Sequence, residues 1–206
     1  VEVARAQLVR RGKGLTYLTL GLVSLEVIVA LTAGAAAGSV ALLGFGADSL
    51  IELTAGAAAL WRLHADLDPA RRERVEGVSL RMIGVCFLAL ALYVGYGASR
   101  DLVLRERPAE SLAGMALAVF SLISMPLLAR AKRRVALGMR SGALAADAQQ
   151  TALCAYLAGI LLIGLLLNAT LGWWWADPVA AVLMVPIIAK EGIEGVRGRS
   201  ACGDCC

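Results

Sequence analysis

The chain has 206 residues, 59% of them hydrophobic and 17% charged, with a formal net charge of +4. A mean hydropathy of +0.74 excludes an ordinary water-soluble domain of this length and predicts a polytopic all-α membrane protein. The positive charge does not point to nucleic acid, because no basic face interleaved with aromatics is present to read bases.

A helix needs about 20 mostly apolar residues to cross the hydrocarbon. Six runs qualify: 15–37, 39–63, 78–99, 111–131, 142–168 and 175–196. They divide the chain into an N-terminal segment 1–14, a six-helix transmembrane domain 15–196 and a short tail 197–206. Lys and Arg are retained on the cytoplasmic side of a membrane. All basic residues except Arg100, Arg105 and Arg107 fall on the side of the termini, and those three are offset by Asp101, Glu106 and Glu110. Both termini are therefore expected in the cytoplasm, with the cell membrane as the expected location.

The first run follows Arg10-Arg11-Gly12-Lys13 and ends in the small residues from Thr32 to Gly38, a superficial likeness to a secretory signal. The run is long enough to span and leads directly into another span, which argues for a retained helix. Gly34 and Gly38 make a GxxxG spacing, which serves either close helix packing or a homodimer. Glu26 lies near the middle of this run, as an interhelical hydrogen-bond partner or as an accessory ion or proton ligand.

The second run holds Asp48 and Glu52, four residues apart and so on one helical face. A charge in hydrocarbon costs at least about 2.5 kcal/mol, so the pair calls for a partner, a proton or an ion. An ion is the expectation. Between the second and third runs, His64 lies near Asp66 and Asp68, either as a solvated connector or as a secondary metal site.

The third and fourth runs carry no acidic residue in their interiors and read as scaffold, with Cys86 as a small buried hydrophobe. Pro126 and Pro186 fall inside spans, which membrane helices tolerate. In the fifth run, steps of three and four bring Asp147, Gln150, Thr151 and Cys154 onto one face as a polar stripe. Trp173, Trp174 and Trp175 read as interface anchors, and Asp177 before Pro178 as the N-cap of the sixth helix. The spacing from Ser39 to Asp48 and Glu52 repeats from Ser141 to Gln150 and Cys154. Transporters often place an ion site where such echoed helices meet.

These residues together resemble the cation diffusion facilitator family. Ser39-Val40-Ala41-Leu42-Leu43 followed by Asp48-Ser49-Leu50-Ile51-Glu52 is similar to its second helix, with the pattern Ser-x-x-Leu-Leu and then Asp-Ser-x-x-Asp. The stretch from Ala146 to Cys154 resembles its Ala-Asp-Ala-x-His-x-x-x-Asp helix, and Asp177-Pro178-Val179-Ala180-Ala181 with Lys190-Glu191-Gly192 its sixth. The resemblance implies export of zinc or a related divalent ion in exchange for protons. The implied metal ligands are Asp48, Glu52, Gln150 and Cys154, with Asp147 as a further oxygen. Glu stands where the family has Asp, Gln where it has His, and Cys where it has Asp.

A thiolate with carboxylates suits zinc, with cadmium or cobalt as competitors, whereas magnesium and calcium prefer more oxygens. The end of the chain resembles the short branch of the family that lacks the cytoplasmic C-terminal domain. Its Cys202, Cys205 and Cys206 read either as a metal-capture or lipid-bearing tail or as an end without a role. No resident cofactor is expected. An enzyme is disfavoured by the absence of a recognisable nucleophile and base. The rival functions are a metal-binding regulatory or assembly subunit that does not transport, and a proton-coupled exporter of organic cations.

Overall fold

The computed structural model describes residues 2–64, 69–106, 108–139 and 142–197. These residues form six helices and no strand: α1 (Glu2–Ala37), α2 (Val40–His64), α3 (Pro69–Leu104), α4 (Leu112–Met139), α5 (Gly142–Leu171) and α6 (Ala176–Val196). The helices coincide with the six apolar runs, but α1 and α3 run well past them into charged sequence. Hydropathy marks the segment that suits hydrocarbon, and neither Arg10-Arg11 nor Arg71-Arg72 contains anything that stops a helix. Five helices hold a stretch long and apolar enough to cross a membrane. The sixth, α6, is 21 residues long and carries Asp177, Lys190, Glu191 and Glu194.

Polarity is inverted relative to a soluble protein. Leu92, Tyr96 and Tyr156 are more than 70% exposed, whereas Glu26, Asp48, Glu52, Lys132 and Asp147 are buried. Such an arrangement is stable only where the surroundings are apolar and the charges are drawn inward. Cys86, expected inside, lies on the exposed face of α3. In a membrane a small apolar side chain is equally at home against lipid, so hydrophobicity alone does not tell the two faces apart.

Helix contacts give the architecture. α1 packs on α2, α2 on α5, α5 on α4 and α4 on α1, closing a ring of four. The α3–α6 pair lies against the α2 and α5 side of this ring. Small residues allow the close approaches, since lipid supplies no hydrophobic drive for helix association. A Cβ on Gly84 would meet the Val196 backbone nitrogen at 2.4 Å, and one on Gly164 would meet the Ala180 Cβ at 2.6 Å. The GxxxG pair divides its labour: Gly34 lies against Leu43 of α2, and Gly38 takes a left-handed φ of 66° in the turn that joins the two helices.

Asp177 corrects one expectation. The residue at the N-cap of α6 is Trp175, and Asp177 stands in the first turn. Its carboxylate reaches instead to the start of α2, accepting from Ser39 Oγ at 2.5 Å and from the Ala41 amide at 3.4 Å. Ser39 in turn accepts from the Leu42 amide at 3.0 Å. The free amides at the N-terminus of α2 thereby gain acceptors, and α6 is tied to it.

Candidate metal centre

The ring converges on one polar cluster. From α2 come Asp48, Ser49 and Glu52, from α5 Asp147, Gln150, Thr151 and Cys154, from α1 Glu26, and from α4 Ser121 and Lys132. Each lies on the buried stripe of its helix; on α1 that stripe runs through Thr16, Thr19, Val23, Glu26 and Ala30 in steps of three and four. The 3.6-residue repeat thus carries every polar side chain of the cluster to the interior.

Glu26, Glu52 and Cys154 each present a ligand atom to the other two within 4.8 Å. The Cys154 thiol points at Glu26 Oε2 at 3.7 Å, and Ser49 Oγ is 3.4 Å from the same oxygen. Ser121 of α4 donates to the other oxygen, Oε1. Glu52 Oε1 accepts from Thr151 Oγ1 at 2.8 Å, while Glu52 Oε2 has no hydrogen-bond partner. Both oxygens of Asp48 are likewise buried without a donor, as is Gln150 Nε2 without an acceptor. Leaving buried polar atoms unpaired costs about 1–3 kcal/mol each, and more when they are charged. The unpaired carboxylate oxygens of Asp48 and Glu52 mark the cluster as one whose polar groups are not satisfied from within.

Asp147 behaves differently from the other expected ligands. Its Oδ2 lies 2.8 Å from Lys132 Nζ, with both side chains at most 1% exposed. The contact is a charge pair rather than an aligned hydrogen bond, since neither Asp147 oxygen meets a donor in hydrogen-bonding geometry. Lys132 Nζ also donates to Thr151 Oγ1 at 3.0 Å. Asp147 is therefore engaged by an internal cation, about one turn from Thr151 and two turns from Cys154 along α5.

Glu26 stands at the centre of the cluster, and α4, expected to be scaffold, contributes Ser121 and Lys132. Lys132 is the residue that sequence reading missed. By its place in the run 130–134 it reads as a cytoplasmic basic residue, yet Arg130, Arg133 and Arg134 are exposed and Lys132 is buried. Helical periodicity carried the signal: Ala118, Ser121, Met125, Leu128 and Lys132 form one inward stripe. The side chain of His64 and all of Asp66 and Asp68 lie outside what the structure describes, as do Cys202, Cys205 and Cys206.

Six helices with an apolar exterior, enclosing buried carboxylates and a thiol, define an integral membrane protein with a polar centre. Residues 17–197 match the cation efflux transmembrane domain, and the chain belongs to that family. It is also 28% identical over 180 residues to an uncharacterized transporter of Synechocystis sp., a match that takes in 84% of this chain and 58% of that protein. The chain thus spans little more than half the length of that relative.

Proposed function

We propose that the protein exports divalent transition-metal ions from the cytoplasm across the cell membrane by alternating access, in exchange for protons, with both termini in the cytoplasm. Zinc is the leading cargo, with cadmium or cobalt as competitors. The observation that carries this reading is the buried group of Glu26, Glu52 and Cys154 within 4.8 Å of one another, beside an Asp48 carboxylate without a donor. Carboxylate oxygens with one sulfur suit a four-coordinate ion of the zinc type. In this reading Asp48, Glu52, Cys154 and Gln150 hold the ion as the family pattern implies, and Glu26, close to Glu52 and Cys154, is the accessory ligand or proton carrier on α1. Asp147 serves as the partner of Lys132.

Protein reconstituted in liposomes tests the proposal. Zinc flux is expected to follow an imposed proton gradient, and Asp48→Ala or Glu52→Ala is expected to abolish it. Unimpaired flux in both variants would remove the site from the mechanism. Zinc binding without flux would favour a non-transporting metal-binding subunit. Absence of zinc protection of Cys154 against a thiol reagent would favour an exporter of organic cations.

A further inference from the structure

Thr151 Oγ1 is the meeting point of three polar contacts: Lys132 Nζ at 3.0 Å, Glu52 Oε1 at 2.8 Å and the Asp147 carbonyl at 3.0 Å. An ammonium group only donates, so the hydroxyl accepts from Lys132 and has a single proton left to give. Of the two acceptors, the Glu52 carboxylate is the nearer and binds a donor more strongly than a neutral carbonyl does. Asp147 fixes the far end of this chain by holding Lys132 Nζ at 2.8 Å. Lys132, Thr151 and Glu52 are all buried, so water does not compete for these contacts. The result is an asymmetric carboxylate. Glu52 Oε1 is occupied by a hydroxyl that is itself held in place, and Oε2 is buried and free.

We propose that Thr151, held by the Lys132–Asp147 pair, makes Glu52 a one-oxygen ligand and thereby sets the ion selectivity of the centre. This rests on the reading of the cluster as a metal site. An ion that needs four ligands loses nothing when Glu52 offers one oxygen. Ions that gather six or more oxygens draw on bidentate carboxylates and lose a ligand here. Thr151 and Lys132 are positioning residues in this scheme, acting through Glu52. The competing account is that the Lys132–Asp147 pair only joins α4 to α5.

Equilibrium dialysis of the purified full chain against zinc and against manganese separates the two accounts. Thr151→Val keeps the side-chain shape and removes the hydroxyl; it is expected to lower the preference for zinc over manganese by about tenfold or more, the loss of one hydrogen bond to a charged group. Thr151→Ser keeps the hydroxyl and is expected to keep the wild-type ratio. The double variant Lys132→Met with Asp147→Asn releases Thr151 and removes both charges of the pair, and is expected to move the ratio in the same direction as Thr151→Val. Zinc binding with a wild-type ratio in both Thr151→Val and the double variant overturns the proposal and leaves the pair as a joint between helices. Failure of the double variant alone to shift the ratio overturns the part assigned to Lys132 and Asp147. Binding of neither ion by the wild-type chain overturns the metal reading itself, and the selectivity proposal with it.

Discussion

Cys154 and Glu26 come from helices whose residues are 128 positions apart, yet the thiol lies 3.7 Å from the carboxylate. A thiol beside carboxylates adds a soft donor to a hard set, and soft donors discriminate among transition metals. Cys154→Ser is therefore expected to lower the ratio of cadmium to zinc transport in liposomes; an unchanged ratio would mean that the sulfur does not touch the ion. Lys132 makes a different prediction. Removing one partner of a buried pair leaves the other charge uncompensated, at a cost of about 3–5 kcal/mol. Lys132→Ala is thus expected to melt well below the wild type in detergent, and Lys132→Met with Asp147→Asn to recover much of the loss. A double variant as unstable as the single one would show that the charge of Asp147 is not what Lys132 compensates.

Among the elements, the ring of α1, α2, α5 and α4 encloses the polar cluster, and the α3–α6 pair stands against it. Side-chain-free contact points join that pair: Gly84 faces the backbone of Gly195 and Val196, and a Cβ there would lie 2.4 Å from the Val196 nitrogen. Gly84→Ala has to push two helices apart, which costs about 1–3 kcal/mol as overpacking does elsewhere. Gly159 is the control, since the nearest atom to its added Cβ is Leu122 Cδ1 at an ordinary 3.6 Å. Thermal unfolding in detergent should show a lowered midpoint for Gly84→Ala and a near wild-type midpoint for Gly159→Ala. Equal midpoints would mean that α3 and α6 separate without loss. At the opposite end of the bundle, Asp177 ties α6 to the start of α2 through Ser39 and Ala41. The helix bearing Asp48 and Glu52 is therefore anchored at its beginning, at the end away from Lys132.

For the molecule as a whole, the distribution of Lys and Arg implies one orientation in the membrane. A cysteine introduced at Glu106 in the α3–α4 connection is expected to react with an impermeant thiol reagent from outside intact cells. One introduced at Lys13 is expected to react only after permeabilisation. The reverse pattern would invert the direction of transport in the proposed mechanism, while leaving the site geometry intact. Each readout is taken in a background with Cys86, Cys202, Cys205 and Cys206 replaced, so that the introduced thiol gives the signal.

The six helices were legible in the sequence, as were the carboxylates of α2 and the polar stripe of α5. Each helix must suit hydrocarbon by its own composition and satisfy its own backbone, so hydropathy and a 3.6-residue period suffice to find it. What the chain alone could not decide was which buried groups meet. The chain leaves Glu26 open between hydrogen bonding and ion binding, groups Asp147 with the ligands by resemblance, and sets Lys132 among the basic residues on the side of the termini. Packing of α1 and α4 into one ring with α2 and α5 decides their neighbours: it brings Glu26 to Glu52 and Cys154, and places Lys132 beside Asp147. Sequence fixes the face on which a side chain stands, because that depends on local helical geometry. Only tertiary structure fixes the neighbour it faces, because that depends on contacts between segments far apart in the chain.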